Sequence, residues 1–241
     1  MSKIETSQEE YWKANFNNEK IIRVSDDLQM NIARTKMGKR VDKEIWNKTL
    51  SYLLEILEIK KDSKVLELCC GNGVIIGEIA KHCDTALGID YSKELLRQLK
   101  KKYPEKNLNV EENDVNKFAP SVNSFDVIII YFSIQHFNER NTFMLIEKCI
   151  KALKPNGKIL VGDIPDLDKK WDYICKPEYQ LDYFKRVVEC SPKIGYWFQK
   201  DFFRAMNSCF DNTSFKIIEQ PVYQINSDHC FDLLIEKSDV E

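Results

Sequence analysis

The stretch VLELCCGNG, residues 65–73, sets an acid, Glu67, among alternating apolar residues and then breaks into a turn carrying Gly71 and Gly73. Glycines there let a ligand come close to the backbone. Glu67 at the head of the turn suits a ligand with a positive charge and is poorly suited to a pyrophosphate. Asp90, in GIDYS, follows Gly73 by 17 positions (90 minus 73), where a carboxylate can accept from both hydroxyls of a ribose. Asp114, in NDV, can accept from an exocyclic amino group, with Tyr91 and Val115 as apolar cover for a ring. The chemistry implied is the grip on a nucleoside that also carries a cationic end.

S-adenosylmethionine has that character: a sulfonium, an α-ammonium, a ribose diol and an adenine. The turn 69–73 is expected to admit its methionine and ribose, and Glu67 to meet its ammonium directly or through water. A dinucleotide fingerprint would need a third glycine at position 76, where the chain has Ile76; the next glycine is Gly77. That miss weakens a nicotinamide-dependent oxidoreductase as the alternative.

Methyl transfer from a sulfonium is an in-line displacement, so an acceptor must be aligned and, if a hydroxyl, deprotonated. His136 in SIQHF is the first candidate base because imidazole titrates near neutral pH; its bland and commoner reading is a pocket wall or a hydrogen bond to the following helix. Asp163 in GDIPD is the second, Asp166 a weaker third. An acceptor already anionic needs proximity alone. His136, Asp163 and Asp166 could also meet a divalent cation, although their spacing is no recognised ligand motif. RTKMGKR, with Arg34, Lys36, Lys39 and Arg40, is either a solvated face or a lid bringing Arg34 to a carboxylate or phosphate, including the methionine carboxylate. Tyr11, in EYWKANF, could close over the same cleft and exclude water.

These residues need a frame that gathers them. Helical spacing runs through 42–59, with apolar residues at 45, 46, 50, 53, 54 and 57. Strands are expected at KVLELC, TALGID, LNVEEND, FDVIIIYF and GKILVGD. Between them lie helices in VIIGEIAKHC, in KELLRQLKKKY capped by Ser92, and in RNTFMLIEKCIKAL. Such alternation predicts a parallel α/β sheet with helices on both faces, its ligand beyond the carboxyl ends of the strands. Glu67 to Gly73, Asp90, Asp114, Ser133 to His136 and Asp163 all fall at those ends. The aromatic-rich segment 164–213 follows, in which YWFQKDFFRAM has the spacing of a helix docked on the sheet. Tyr179, Tyr183, Tyr196 and Trp197 are its candidate acceptor-pocket walls, with core packing as the other role.

At 241 residues the chain suits one domain with an insertion. A net charge of -2 sets up no global field toward nucleic acid or an anionic membrane, and a small-molecule acceptor is the expected partner. No apolar run approaches the roughly 20 residues of a membrane span, and MSKIETSQEEYWK has no signal-peptide core, so a cytoplasmic location is expected. Eight cysteines, scattered without a CxxC, read as free thiols. The sequence leaves the oligomeric state open.

The order VLELCCGNG, GIDYS, NDV, FDVIIIYFSIQHF and LKPNGKILVGD resembles the class I S-adenosylmethionine-dependent methyltransferases over roughly residues 45 to 163, and FKIIEQ and CFDLLIEK resemble that family's last two strands. One departure is Cys69, which stands where the usual loop has its first glycine. The resemblance implies a Rossmann-like, seven-stranded, mainly parallel sheet in the order 3-2-1-4-5-7-6, with an antiparallel last pair. It also implies S-adenosylmethionine as cofactor and S-adenosylhomocysteine as product. Parsed this way, residues 1–41 form an N-terminal lid, 42–163 the cofactor-binding core, 164–213 the acceptor-site insertion and 214–238 the C-terminal strand pair. The QHF and GDIPD segments further resemble bacterial enzymes of surface-polysaccharide biosynthesis, which suggests a sugar hydroxyl or phosphate-bearing precursor as acceptor. The resemblance is also compatible with a non-catalytic S-adenosylmethionine-binding partner subunit.

Overall fold

The computed structural model describes residues 8–16, 27–35 and 39–239; of the expected lid, Lys36 and residues 1–7, 17–26, 37 and 38 lie outside them, while Arg34, Lys39 and Arg40 lie within. Seven strands form one sheet: β1 (Lys64–Leu68), β2 (Thr85–Asp90), β3 (Leu108–Glu112), β4 (Phe125–Tyr131), β5 (Leu153–Pro165), β6 (Thr213–Glu219) and β7 (Cys230–Lys237). The order is β3-β2-β1-β4-β5-β7-β6, with β7 antiparallel to both β5 and β6, as the resemblance implies.

β1 and β4 lie at the centre, and the alternation of strand side chains divides their residues between two cores. Leu66, Leu68, Ile128 and Ile130 join one cluster, Val65, Val127 and Ile129 the other. Being buried on both faces, these strands require helices on each side of the sheet. α3 (Lys43–Ile56), α4 (Ile76–Ile79) and α5 (Lys93–Lys102) contribute to the second core, and α6 (Glu139–Ala152) to the first. Side chains start these helices where donors would otherwise be orphaned: Asp42 accepts from Glu44 N at 2.7 Å, and Asn138 from Asn141 N at 2.8 Å. Ser92 caps α5, which buries Leu95, Leu96 and Leu99 and ends in three lysines, favourable at a helix C-terminus.

The helix expected over VIIGEIAKHC shrinks to the single turn of α4. Three β-branched isoleucines and Gly77 propagate a helix poorly, and the chain leaves through tight bonds such as Lys81 N to Glu78 O at 3.2 Å. In the insertion, α9 (Lys200–Asn207) docks as its spacing predicts, burying Phe203 and Met206. α7 (Lys170–Tyr173) and α8 (Pro177–Val188) precede it and bury no residue. At the N-terminus, α1 (Gln8–Phe16) and α2 (Leu28–Asn31) reach over the carboxyl edge of the sheet. No helix among the described residues is long and apolar enough to cross a membrane.

Candidate active site

A cavity of about 380 Å³ lies beyond the carboxyl ends of β1 to β5, within the size range of small-ligand sites. Glu67, Cys69, Gly71, Asp90, Tyr91, Asp114, Val115, His136, Asp163 and Arg34 all line it. Gly73 stands just behind: a Cβ there would come within 2.5 Å of Leu99 Cγ, so only glycine lets the turn seat against α5. The turn itself passes through left-handed conformations at Cys69 (φ 58), Gly71 (φ 53) and Gly73 (φ 77). This explains why glycine is the easy choice for its first position, and why Cys69 occupies it under strain.

Three acids are set by backbone donors. Glu67 is buried, its Oε2 accepting from Ile76 N at 2.9 Å, so it occupies the first turn of α4, and burial holds its carboxyl well above the usual range. Asp90 accepts from Gly71 N and Ser92 N, both at 2.8 Å; burial pushes its pKa up to about 6, against the pull of those donors. Asp114 accepts from Asn116 N at 3.0 Å and from Lys13 Nζ of α1 at 2.7 Å, and these partners hold its carboxyl below the ordinary value despite desolvation.

α1 covers this end of the cavity. Tyr91 donates its hydroxyl to Trp12 O (3.2 Å) and Ser92 Oγ donates to Phe16 O (2.7 Å). His136, in the turn Ile134–His136 after β4, lies with its ring centre 4.5 Å from that of Trp12 and 5.9 Å from that of Phe16. Its Nδ1 is buried without a hydrogen-bond partner among the described residues. Burial pushes the imidazole down to about 3, so it is neutral at physiological pH.

Asp163 and Arg34 meet as a buried ion pair, Nη1 to Oδ2 at 3.1 Å, with side chains only 1% and 2% exposed. Asp163 also accepts from Gln220 Nε2 at 2.8 Å, and the same Nε2 donates to Asp232 Oδ1 at 2.7 Å. Arg34 sits over Trp46, Tyr131 and Phe132, 4.9, 4.7 and 5.4 Å from their ring centres. Burial lowers its pKa, but Asp163, Tyr131 and Asp232 together carry it above the ordinary value.

Two sequence expectations are corrected here. Asp166 turns away from the cavity, its Oδ2 3.2 Å from Lys200 Nζ and its Oδ1 accepting from Asp168 N at 3.1 Å. With Asp163 committed to Arg34, the trio His136, Asp163 and Asp166 does not converge, and no metal-binding cluster of three His, Cys, Asp or Glu occurs among the described residues. The aromatic wall also differs. Tyr11, Tyr179, Tyr183, Tyr196 and Trp197 stand outside the lining. Tyr183 is engaged by Trp171 and Lys170, Tyr196 packs on the core, and Trp197 lies behind His229.

The far end of the cavity is walled instead by Tyr173, Lys193, Asn226 and His229, while Trp12 and Phe16 of α1 line it beside Tyr91 and His136. Tyr173 stacks on His229 with ring centres 4.1 Å apart, and Asp228 Oδ1 lies 2.8 Å from His229 Nδ1. Gly195 closes this wall on the β4 turn, where a Cβ would be 1.8 Å from Gln135 O.

Residues 65–157 match the methyltransferase domain family. The chain is 30% identical over 139 residues to phosphoethanolamine N-methyltransferase of Plasmodium falciparum, which covers 54% of this chain and 52% of that protein. In fold it is similar to phosphoethanolamine N-methyltransferase 1 of Haemonchus contortus (TM-score 0.66, 11% identity, 98% of this chain and 49% of that one). It is also similar to the magnesium protoporphyrin IX methyltransferase of Synechocystis PCC 6803 (TM-score 0.63, 10% identity, 98% and 100%). The chain spans about half, or less, of the length of the curated relatives it matches first. Residues 65–157 thus match a methyltransferase domain, and the strand order, with acids at the ends of the first three strands, is the fold the chain shares with these solved methyltransferases.

Proposed function

We propose that the chain transfers a methyl group from S-adenosylmethionine to a small polar acceptor, an oxygen of a sugar or phosphate-bearing metabolite. The observation that carries this reading is the convergence of Glu67, Asp90 and Asp114 on one cavity beyond three adjacent strands. The cavity fits the cofactor's chemistry: an acid for the ammonium, a buried carboxylate for the ribose diol, and Asp114 beside Tyr91 and Val115 for the adenine. The solved relatives from Haemonchus and Synechocystis carry S-adenosylhomocysteine and S-adenosylmethionine respectively. Bound here, the cofactor supplies an electrophilic methyl on a sulfonium.

The chain's own residues align the acceptor and take its proton. His136 is the base on geometry: it lines the cavity with a buried Nδ1 that has no hydrogen-bond partner among the described residues, while burial, which pushes its imidazole down to about 3, makes it a weak base. Trp12 and Phe16 exclude water beside it. Asp163 remains the second candidate, reached only if Arg34 releases it. Lys193, Asn226, His229 and Tyr173 give the far wall donors suited to a phosphate or to sugar hydroxyls. The identity to a phosphoethanolamine N-methyltransferase favours a phosphate-bearing acceptor and supports nitrogen as the second choice of methylated atom.

Two alternatives predict different binding. A nicotinamide cofactor would place its pyrophosphate at the first turn of α4, but Ile76 N there already donates to Glu67. A non-catalytic binder would retain the cofactor and lack turnover. Calorimetric titration with S-adenosylhomocysteine and with NADH, using Asp90→Ala as control, separates these. Micromolar binding of the homocysteine compound alone, lost in the variant, is expected; binding of NADH instead would overturn the proposal. His136→Ala that keeps S-adenosylhomocysteine binding and loses turnover distinguishes an enzyme from a binder.

A further inference from the structure

We infer that α8 is a self-association surface through which two copies of this chain pair about a twofold axis. Leu181, Phe184, Val187 and Val188 of α8 are 74%, 57%, 54% and 84% exposed, and Trp171 of α7 beside them is 52% exposed. Trp171 stacks on Phe184 with ring centres 6.3 Å apart, so the five side chains make one patch. Contiguous exposed apolar surface of this kind marks an interaction site.

The helix also lacks support of its own. It has 12 residues and none is buried, and isolated helices of that length are marginal in water. It is tied down by Tyr183, which meets Trp171 edge-on and accepts from Lys170 Nζ at 2.8 Å, and by Arg186 Nη1 reaching Ser191 O at 3.4 Å. These contacts hold the inward side and leave the apolar stripe facing outward.

Charge selects the occupant. Within α8 Arg186 Nε holds Asp182 Oδ2 at 2.9 Å, which leaves Glu178 near the start of the helix and Lys185 two turns on, 4.0 Å from Glu189, along the same flank of the apolar stripe. An antiparallel crossing near Leu181 sets Glu178 of each copy against Lys185 of the other; a parallel crossing would set like on like. The arrangement is self-complementary, as a closed twofold interface requires. A helix that docks on an anionic bilayer has a basic polar face instead.

Sedimentation velocity of the full chain at rising concentration tests this. A species of twice the chain mass is expected, with association weakened about tenfold or more by Phe184→Glu and by Val188→Lys. Both positions are exposed, so unfolding transitions matching the parent are expected. Glu178→Lys should weaken pairing, and adding Lys185→Glu should restore it. A monomer at all concentrations, pairing indifferent to Phe184→Glu, or a monomer that co-sediments with vesicles containing phosphatidylserine would overturn the inference.

Discussion

Lys13 Nζ lies 2.7 Å from Asp114 Oδ2 and joins α1 to the chain just beyond β3, across the mouth of the cavity. The pair is partly exposed, 35% and 20%, so its own contribution is small, about 1 kcal/mol or less. Asp114 carries the larger share of any adenosine contact, because a hydrogen bond to a charged group is stronger than an exposed ion pair. Titration with S-adenosylhomocysteine should show Asp114→Ala weakening binding about tenfold or more and Lys13→Ala by less than about fivefold. If Lys13→Ala does more harm than Asp114→Ala, the helix rather than the carboxylate holds the nucleoside.

Arg34 and Asp163 are a different kind of pair. Both are almost wholly buried, and removing one partner of such a pair leaves an uncompensated charge at about 3–5 kcal/mol. Urea unfolding of Arg34→Met without ligand should therefore show a loss of that order. Arg34→Met combined with Asp163→Asn should lose less than the sum of the singles, because the second change removes the stranded carboxylate. Additive losses would mean that the aromatic rings of Trp46, Tyr131 and Phe132, rather than the ion pair, hold the guanidinium.

Asp90 makes stability and binding respond oppositely to pH. Its pKa in the folded chain, about 6, lies above the ordinary 3.8, so its contribution to stability is full below 3.8 and lost as pH rises through 6. The loss is about 3 kcal/mol from a shift of two units. Binding a ribose diol needs the ionised form, so affinity should rise through the same window. S-adenosylhomocysteine titrations from pH 5 to 8 should show affinity climbing to a plateau near pH 7, while parent stability falls relative to Asp90→Asn. Affinity flat from pH 5 to 8 would remove Asp90 from the contact. His136 adds nothing in that window to a turnover profile, since it charges only near 3; its lowered value makes the fold lose stability as pH falls from 6.5 toward 3.

The sheet was legible because strand and helix periodicities are local, and the acids at strand ends follow once the strands are placed. Glu67, Asp90 and Asp114 line the cavity for that reason. Arg34 was legible as a cation seeking an anion, but not as the partner of Asp163, because only the folded chain brings those positions together. The far wall escaped for the same cause: Tyr173 lies in the insertion, while Asn226 and His229 come from the turn before β7, and no local pattern links them. The aromatic-rich stretch between β5 and β6 folds into α7, α8 and α9, and tertiary packing turned Tyr183 and Tyr196 away from the cavity. Lys13, Trp12 and Phe16 belong to a short polar helix whose role depends on what it lies across.

Cys69 offers the last test, because its backbone and its side chain make opposite demands. At φ 58 a non-glycine residue is strained by about 1–3 kcal/mol, while its thiol packs against the main core. Cys69→Gly relieves the strain and gives up that packing, so a net gain in stability of about 1 kcal/mol is expected. Cys69→Val adds a β-branched side chain at a left-handed position, where it is a genuine outlier, and should lose about 2 kcal/mol or more together with S-adenosylhomocysteine binding. Urea unfolding and titration of both variants decide the matter. If glycine destabilises as much as valine, the thiol's packing holds the turn, and the family's usual glycine has been replaced here to strengthen the loop rather than at its expense.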